Sequence, residues 1–66
     1  MISRVSIALK HSGTRDIYDP TDAYYKATEQ MFIVKDDVLG KKWIYPRENV
    51  ESFTIFQKED GEENEV

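Results

Sequence analysis

From Val5 to Leu9 the apolar side chains fall at positions 5, 7 and 9, with Arg4, Ser6 and Lys10 out of phase. That is the period of a strand burying one face. His11-Ser12-Gly13-Thr14 carries turn chemistry, with Gly13 free to adopt a positive φ, and Arg15-Asp16-Ile17-Tyr18 returns as the second strand of a hairpin. Asp19-Pro20-Thr21-Asp22 has the form of a helix start: Asp19 as N-cap, Pro20 at the first helical position, and Asp22 reaching back to the cap. A short helix over Pro20 to Lys26 is therefore predicted. It must stop before Met31-Phe32-Ile33-Val34, a continuous apolar run of β-formers ending at Lys35-Asp36-Asp37, which reads as a central strand. Val38-Leu39-Gly40-Lys41 makes a turn, and Lys42-Trp43-Ile44-Tyr45 is the next strand. Pro46 has no amide N–H to give a sheet, so Pro46-Arg47-Glu48-Asn49 forms a tight 3₁₀-like turn before Val50 to Phe56 runs as the last strand. Strands spaced about ten residues apart, with one helical interruption, predict a mostly β fold: five short strands in a small barrel or a strongly bent antiparallel sheet.

Length and composition narrow the picture. A chain of 66 residues makes one domain that buries only roughly 60% of its unfolded surface, so a bound partner or oligomerisation is expected to supplement stability. Without cysteine it has neither a disulfide nor a thiolate metal site, and an intracellular, cytoplasmic location is the default. The apolar share is 39%, but three Phe, four Tyr and one Trp are too many aromatics for a disordered polar tract. No apolar stretch approaches the roughly 20 residues of a membrane span, and the N-terminus lacks a signal-peptide core. The sequence reads as soluble and complete, without a membrane role. The net charge of −4 is unevenly spread. Residues 59–66, Glu-Asp-Gly-Glu-Glu-Asn-Glu-Val, hold five acids and no base, which leaves residues 1–58 at +1. A single β domain over 1–58 and a disordered, solvated acidic tail over 59–66 are expected.

The segment Met31-Phe32-Ile33-Val34-Lys35-Asp36-Asp37, a turn, and then Trp43-Ile44-Tyr45-Pro46-Arg47-Glu48-Asn49-Val50-Glu51-Ser52-Phe53 resembles the C-terminal half of SH3-like barrels. In those barrels a strand ends at a Pro-containing 3₁₀ turn, an Asn-Val pair follows, and the last strand closes the structure. Small accessory proteins of bacteriophages and prophages often have sequences of this type. The resemblance covers roughly residues 30–56. It implies a small SH3-like barrel that acts by binding, in a bacterial host cell if phage-encoded. Peptide-binding SH3 domains also carry an acidic, aromatic-rich loop, for which Asp16 to Tyr25 is the candidate here, with Tyr18, Tyr24 and Tyr25 as its aromatics. The Ala-Leu-Tyr-Asp-Tyr pattern is absent, so polyproline recognition is not implied.

Catalytic chemistry is thinly represented. His11 is the only imidazole and sits beside a turn, where a solvated or surface-bonded role is expected. Asp36 and Asp37 lack the alternating ligands and closing Glu of a calcium loop and read as strand-end charges. Gly13, Gly40 and Gly61 stand alone, so no phosphate loop is present. No enzyme activity, cofactor or metal is expected.

The most informative cluster is Lys41-Lys42-Trp43-Ile44-Tyr45-Pro46-Arg47. On a strand, Lys41, Trp43, Tyr45 and Arg47 share one face and Lys42 and Ile44 the other. If Ile44 points inward, a basic-aromatic stripe faces out; if Trp43 and Tyr45 are core, the lysines merely flank them. An outward stripe suits a protein hot spot, with Trp43, Tyr45, Arg47 and Lys41 as contact residues and Tyr24 and Tyr25 as a second patch. It equally suits stacking of single-stranded nucleic acid bases. The expected function is a non-enzymatic protein-binding module, an inhibitor or accessory factor. The alternatives are a single-stranded nucleic-acid-binding barrel, or a structural subunit of a homo-oligomer pairing through exposed β edges. The tail is read as solubilising, or as a phosphate mimic or cover for Lys41, Lys42 and Arg47.

Overall fold

The computed structural model describes residues 1–58. The tail reading falls on 59–66 and lies outside the described residues. Six strands, β1 (Ile2–Leu9), β2 (Gly13–Tyr18), β3 (Asp22–Lys26), β4 (Met31–Asp36), β5 (Lys41–Pro46) and β6 (Val50–Gln57), build two three-stranded antiparallel sheets in the orders β2-β1-β6 and β3-β4-β5. The predicted alternation in β1 is observed: Val5 and Ile7 are fully buried. In register, Val5 lies between Ile17 and Ile55, and Ile7 between Arg15 and Phe53. Gly13 closes the first hairpin at φ +81°, a conformation that glycine adopts without steric cost. The 3₁₀ turn expected over Pro46 to Asn49 spans Arg47–Asn49, and Pro46 is the last residue of β5.

Two expectations are corrected. The segment predicted as a helix, Pro20 to Lys26, contains strand β3, and the described residues hold no α-helix. Asp19 sits at φ +53°, in the left-handed region, whereas an N-cap needs extended backbone. Its N–H donates to the Ser3 carbonyl of β1, and two residues later the Thr21 N–H donates to the Lys35 carbonyl of β4. The chain is thus handed from one sheet to the other across a buried Pro20. Ala23, Tyr24 and Tyr25 then supply the pairing edge that β4 requires on that side. Local capping chemistry loses to tertiary pairing here, as expected for a weak prior over so short a segment.

The second correction concerns closure. A closed five-stranded barrel is not formed; β5 and β6 are each terminal in their own sheet and exchange no ladder of hydrogen bonds. They are joined through the 3₁₀ turn, which is pinned from both sides. The Lys10 N–H donates to the Asn49 carbonyl at 3.0 Å, and the Arg47 N–H donates to the Gln30 carbonyl at 2.9 Å. Between the sheets lies one apolar cluster, Val5, Ile7, Ile17, Ala23 and Val34, with Ile2, Leu9, Trp43, Tyr45, Val50, Phe53 and Ile55 packed against it.

Asp36 is the one buried charged residue among those described, 8% exposed at the end of β4. Its Oδ1 accepts the N–H groups of Val38 and Leu39, both at 3.1 Å, which fixes the β4–β5 hairpin with Gly40 at φ +69°. Asp36→Ala leaves these donors without their acceptor and should lower stability by about 1–2 kcal/mol, while Asp36→Asn, which keeps a carbonyl oxygen there, should cost less. Urea unfolding of both variants checks this; equal losses would show that the acceptor is not what holds the turn.

Candidate functional site

Because the sheet β3-β4-β5 pairs Val34 with Trp43 and Phe32 with Tyr45, period two sends Trp43 and Tyr45 to the face that meets the other sheet. Both pack against the core and are half-buried, while Ile44, 48% exposed, lies on the opposite face. The stripe Lys41, Trp43, Tyr45 is therefore turned inward. Its rings nonetheless keep an accessible side, because β5 is terminal in its sheet and, among the described residues, no strand closes over it. Each of the two sequence alternatives, core and surface, describes one side of the same rings. Lys41 places its Nζ 6.0 Å from the Trp43 ring centroid, at the outer limit of a cation–π contact.

Arg47 leaves the strand for the 3₁₀ turn, where it is exposed. Tyr24 and Tyr25 do not form one patch, since neighbours on a strand point to opposite faces. Tyr25 joins the inner side, its ring 4.8 Å from Phe32 at a tilt of 46°. Tyr24, paired with Ile33, lies on the outer face.

The residue that organises the site is Phe32, which the sequence reading treated only as part of a strand. Tyr25 and Tyr45 are its cross-strand neighbours, and Phe53 from β6 stacks on it with centroids 4.5 Å apart and 27° between planes. The available signal was spacing: Phe32 and Val34 fall in phase with Tyr45 and Trp43 once the hairpin register is set. Phe32 and Phe53 line an open groove of about 820 Å³ together with Met31 and Val50. Its charged lining is mixed, with Lys10 and Arg47 against Glu29, Glu48 and Glu51. A smaller recess of about 210 Å³, lined by Leu9, His11 and Tyr45, shares Pro46 with it.

Among the described residues, no group of three or more His, Asp and Glu converges in a metal-holding arrangement. Aromatic faces, strand edges and a mixed charged rim give the site the means for contact recognition: apolar burial, hydrogen bonding to an added strand, and ion pairing at the margin. Compared with known proteins, the chain matches no family model, and no curated protein or solved structure matches it either.

Half-burial of Trp43 has a measurable consequence. Trp43→Ala should lower stability by about 2 kcal/mol, less than a fully buried aromatic, whereas Arg47→Ala should stay within about 0.5 kcal/mol of the parent. Denaturant midpoints read both, and an unchanged midpoint for Trp43→Ala would remove that ring from the core.

Proposed function

We propose that this protein is a non-enzymatic protein-binding module, of the SH3-like type found among bacteriophage accessory proteins, that receives an extended segment of a partner protein along the open side between β5 and β6. The observation that carries this reading is the unclosed β5–β6 junction beside the groove. Trp43, Tyr45 and Phe53 pack against the core and stay half-exposed where two strands end their sheets. A terminal strand offers unpaired backbone donors and acceptors, and a peptide that adds to it places alternate side chains into neighbouring pockets. Phe32 and Phe53 supply the apolar lining for such side chains, and Lys10, Arg47, Glu48 and Glu51 supply charge selection. On this reading the module works as an inhibitor or accessory factor in the bacterial cytoplasm, and the pocket residues act by contact alone.

The nucleic-acid reading draws on the same Lys41, Trp43 and Tyr45. It has less support, because the rings turn their other side to the core and three carboxylates line the adjoining groove. Phosphate binding releases counterions, so the two readings part on salt dependence.

Affinity capture of the tagged full chain from a bacterial lysate, with and without nuclease, tests the proposal. The expected result is one stoichiometric protein that survives nuclease and 0.5 M salt and is reduced at least tenfold by the paired substitution Tyr45→Ala and Arg47→Ala. Nucleic acid in the eluate, or partners lost on nuclease treatment, would overturn it.

A further inference from the structure

The two sheets treat their outward faces differently. On the outer face of β2-β1-β6, cross-strand register assembles Asp16, Ser6 and Thr54 in one row and Thr14, Ala8 and Ser52 in the next, small and polar groups suited to water. Beyond them, Arg4 stacks its guanidinium 4.1 Å above the Phe56 ring. On the outer face of β3-β4-β5 the central row is Tyr24, Ile33 and Ile44. Tyr24 is 37% and Ile44 48% exposed, while Ile33 is closed over to 5% although it lies outside the core cluster. β4 is thus apolar on both faces. An uninterrupted run such as Met31-Phe32-Ile33-Val34 is the pattern of a strand covered on both sides; on the outer side that cover is closed at Ile33, while Tyr24 and Ile44 beside it stay partly exposed.

The rows flanking this apolar centre indicate what covers it. One row reads Asp22, Lys35, Lys42 across the three strands, and the other Lys26, Met31, Pro46. We propose that the outer face of β3-β4-β5 is the contact surface of a homodimer whose two-fold axis runs parallel to β4. That operation lays β3 of each copy over β5 of the other. Tyr24 then meets Ile44 twice, and Asp22 meets Lys42 twice, so the one acid of the row finds a base on the other copy at both ends. Lys26 keeps its bond to Glu29, 3.1 Å away in the same subunit. The two Lys35 side chains approach near the axis, where their stems extend over the apolar centre and carry the ammonium groups to the rim. The pairing leaves Trp43, Tyr45 and Phe53 free on the opposite face, so it stands independently of the binding function proposed above. A dimer would display two such surfaces.

Three strands about 4.8 Å apart, with five residues rising about 3.3 Å each, give a face of roughly 15 by 16 Å. This is well below a standard interface, so the association is weak and needs high concentration to be seen.

Sedimentation equilibrium of the full chain from about 10 µM to 1 mM is the test. The expected mass rises from the monomer value of 7.7 kDa towards twice that over this range. Ile44→Glu, on the face away from the core, should stay monomeric throughout with an unchanged unfolding midpoint. Asp22→Lys should weaken association at least tenfold by opposing like charges, and adding Lys42→Asp should restore it. The charge reversal decides the matter whether or not Ile44→Glu folds. A monomer at 1 mM would overturn the proposal. A dimer indifferent to the Asp22 and Lys42 reversals would overturn it too, by assigning self-association to the free edges of β5 and β6.

Discussion

Each sheet is held internally by its own hydrogen-bond ladders, but the two sheets hold each other chiefly through apolar contact. Val5, Ile7 and Ile17 on one side and Ala23 and Val34 on the other form an interior of few side chains, each of which matters in a chain this small. Interdigitation of short aliphatics fixes the distance between layers, and two chain corners fix their orientation. At one corner, Asp19 and Thr21 bond to different sheets within three residues. At the other, the 3₁₀ turn is tied to the ends of both. Backbone hydrogen bonds at the corners thus do what interstrand pairing does in a closed barrel.

Leaving β5 and β6 unpaired has a direct chemical result. In a closed barrel Trp43, Tyr45, Phe53 and Ile55 would be sealed in; here they pack against the core with one side and stay half-buried. Large rings anchored on a rigid interior present area at little entropic cost, the property that makes such residues effective contact groups. Phe32 links the two layers by stacking on Phe53 while Tyr25 and Tyr45 flank it. The groove and the core consequently share Val50 and Phe53, so substitutions in the groove lining also act on stability.

The sheet β3-β4-β5 therefore has two apolar sides with different duties. Its inner side completes the core and borders the groove, and its outer side carries Tyr24 and Ile44 into solvent. The hairpin tip adds Val38 and Leu39, 91% and 64% exposed, held in place through their amides by Asp36. A small chain that cannot bury all its apolar groups by itself gains from covering such surfaces with another molecule, which places folding economy and association on the same physical footing.

Elements whose signal is local were legible from the residues alone. Alternation at Val5, Ile7 and Leu9, the Gly13 turn, the apolar run of β4 and the loss of the Pro46 amide each act within a few residues and appear where expected. The sequence also singled out Trp43, Tyr45 and Arg47, but could not orient them. Period two separates Trp43 from Ile44 without saying which side is inside; that choice belongs to the pairing of Val34 with Trp43 and to the sheet packed beneath. The same limit hid the strand at Asp22–Lys26. A helix cap and a strand corner use the same residues, Asp19 and Pro20, and only the carbonyls of Ser3 and Lys35, brought there by distant strands, select the corner. Composition and periodicity thus determined a β protein with a one-sided aliphatic core, because they depend on neighbours along the chain. The open junction, the Phe32 stack and the two-faced sheet were decided by tertiary structure, because each depends on residues that meet only when the sheets pack.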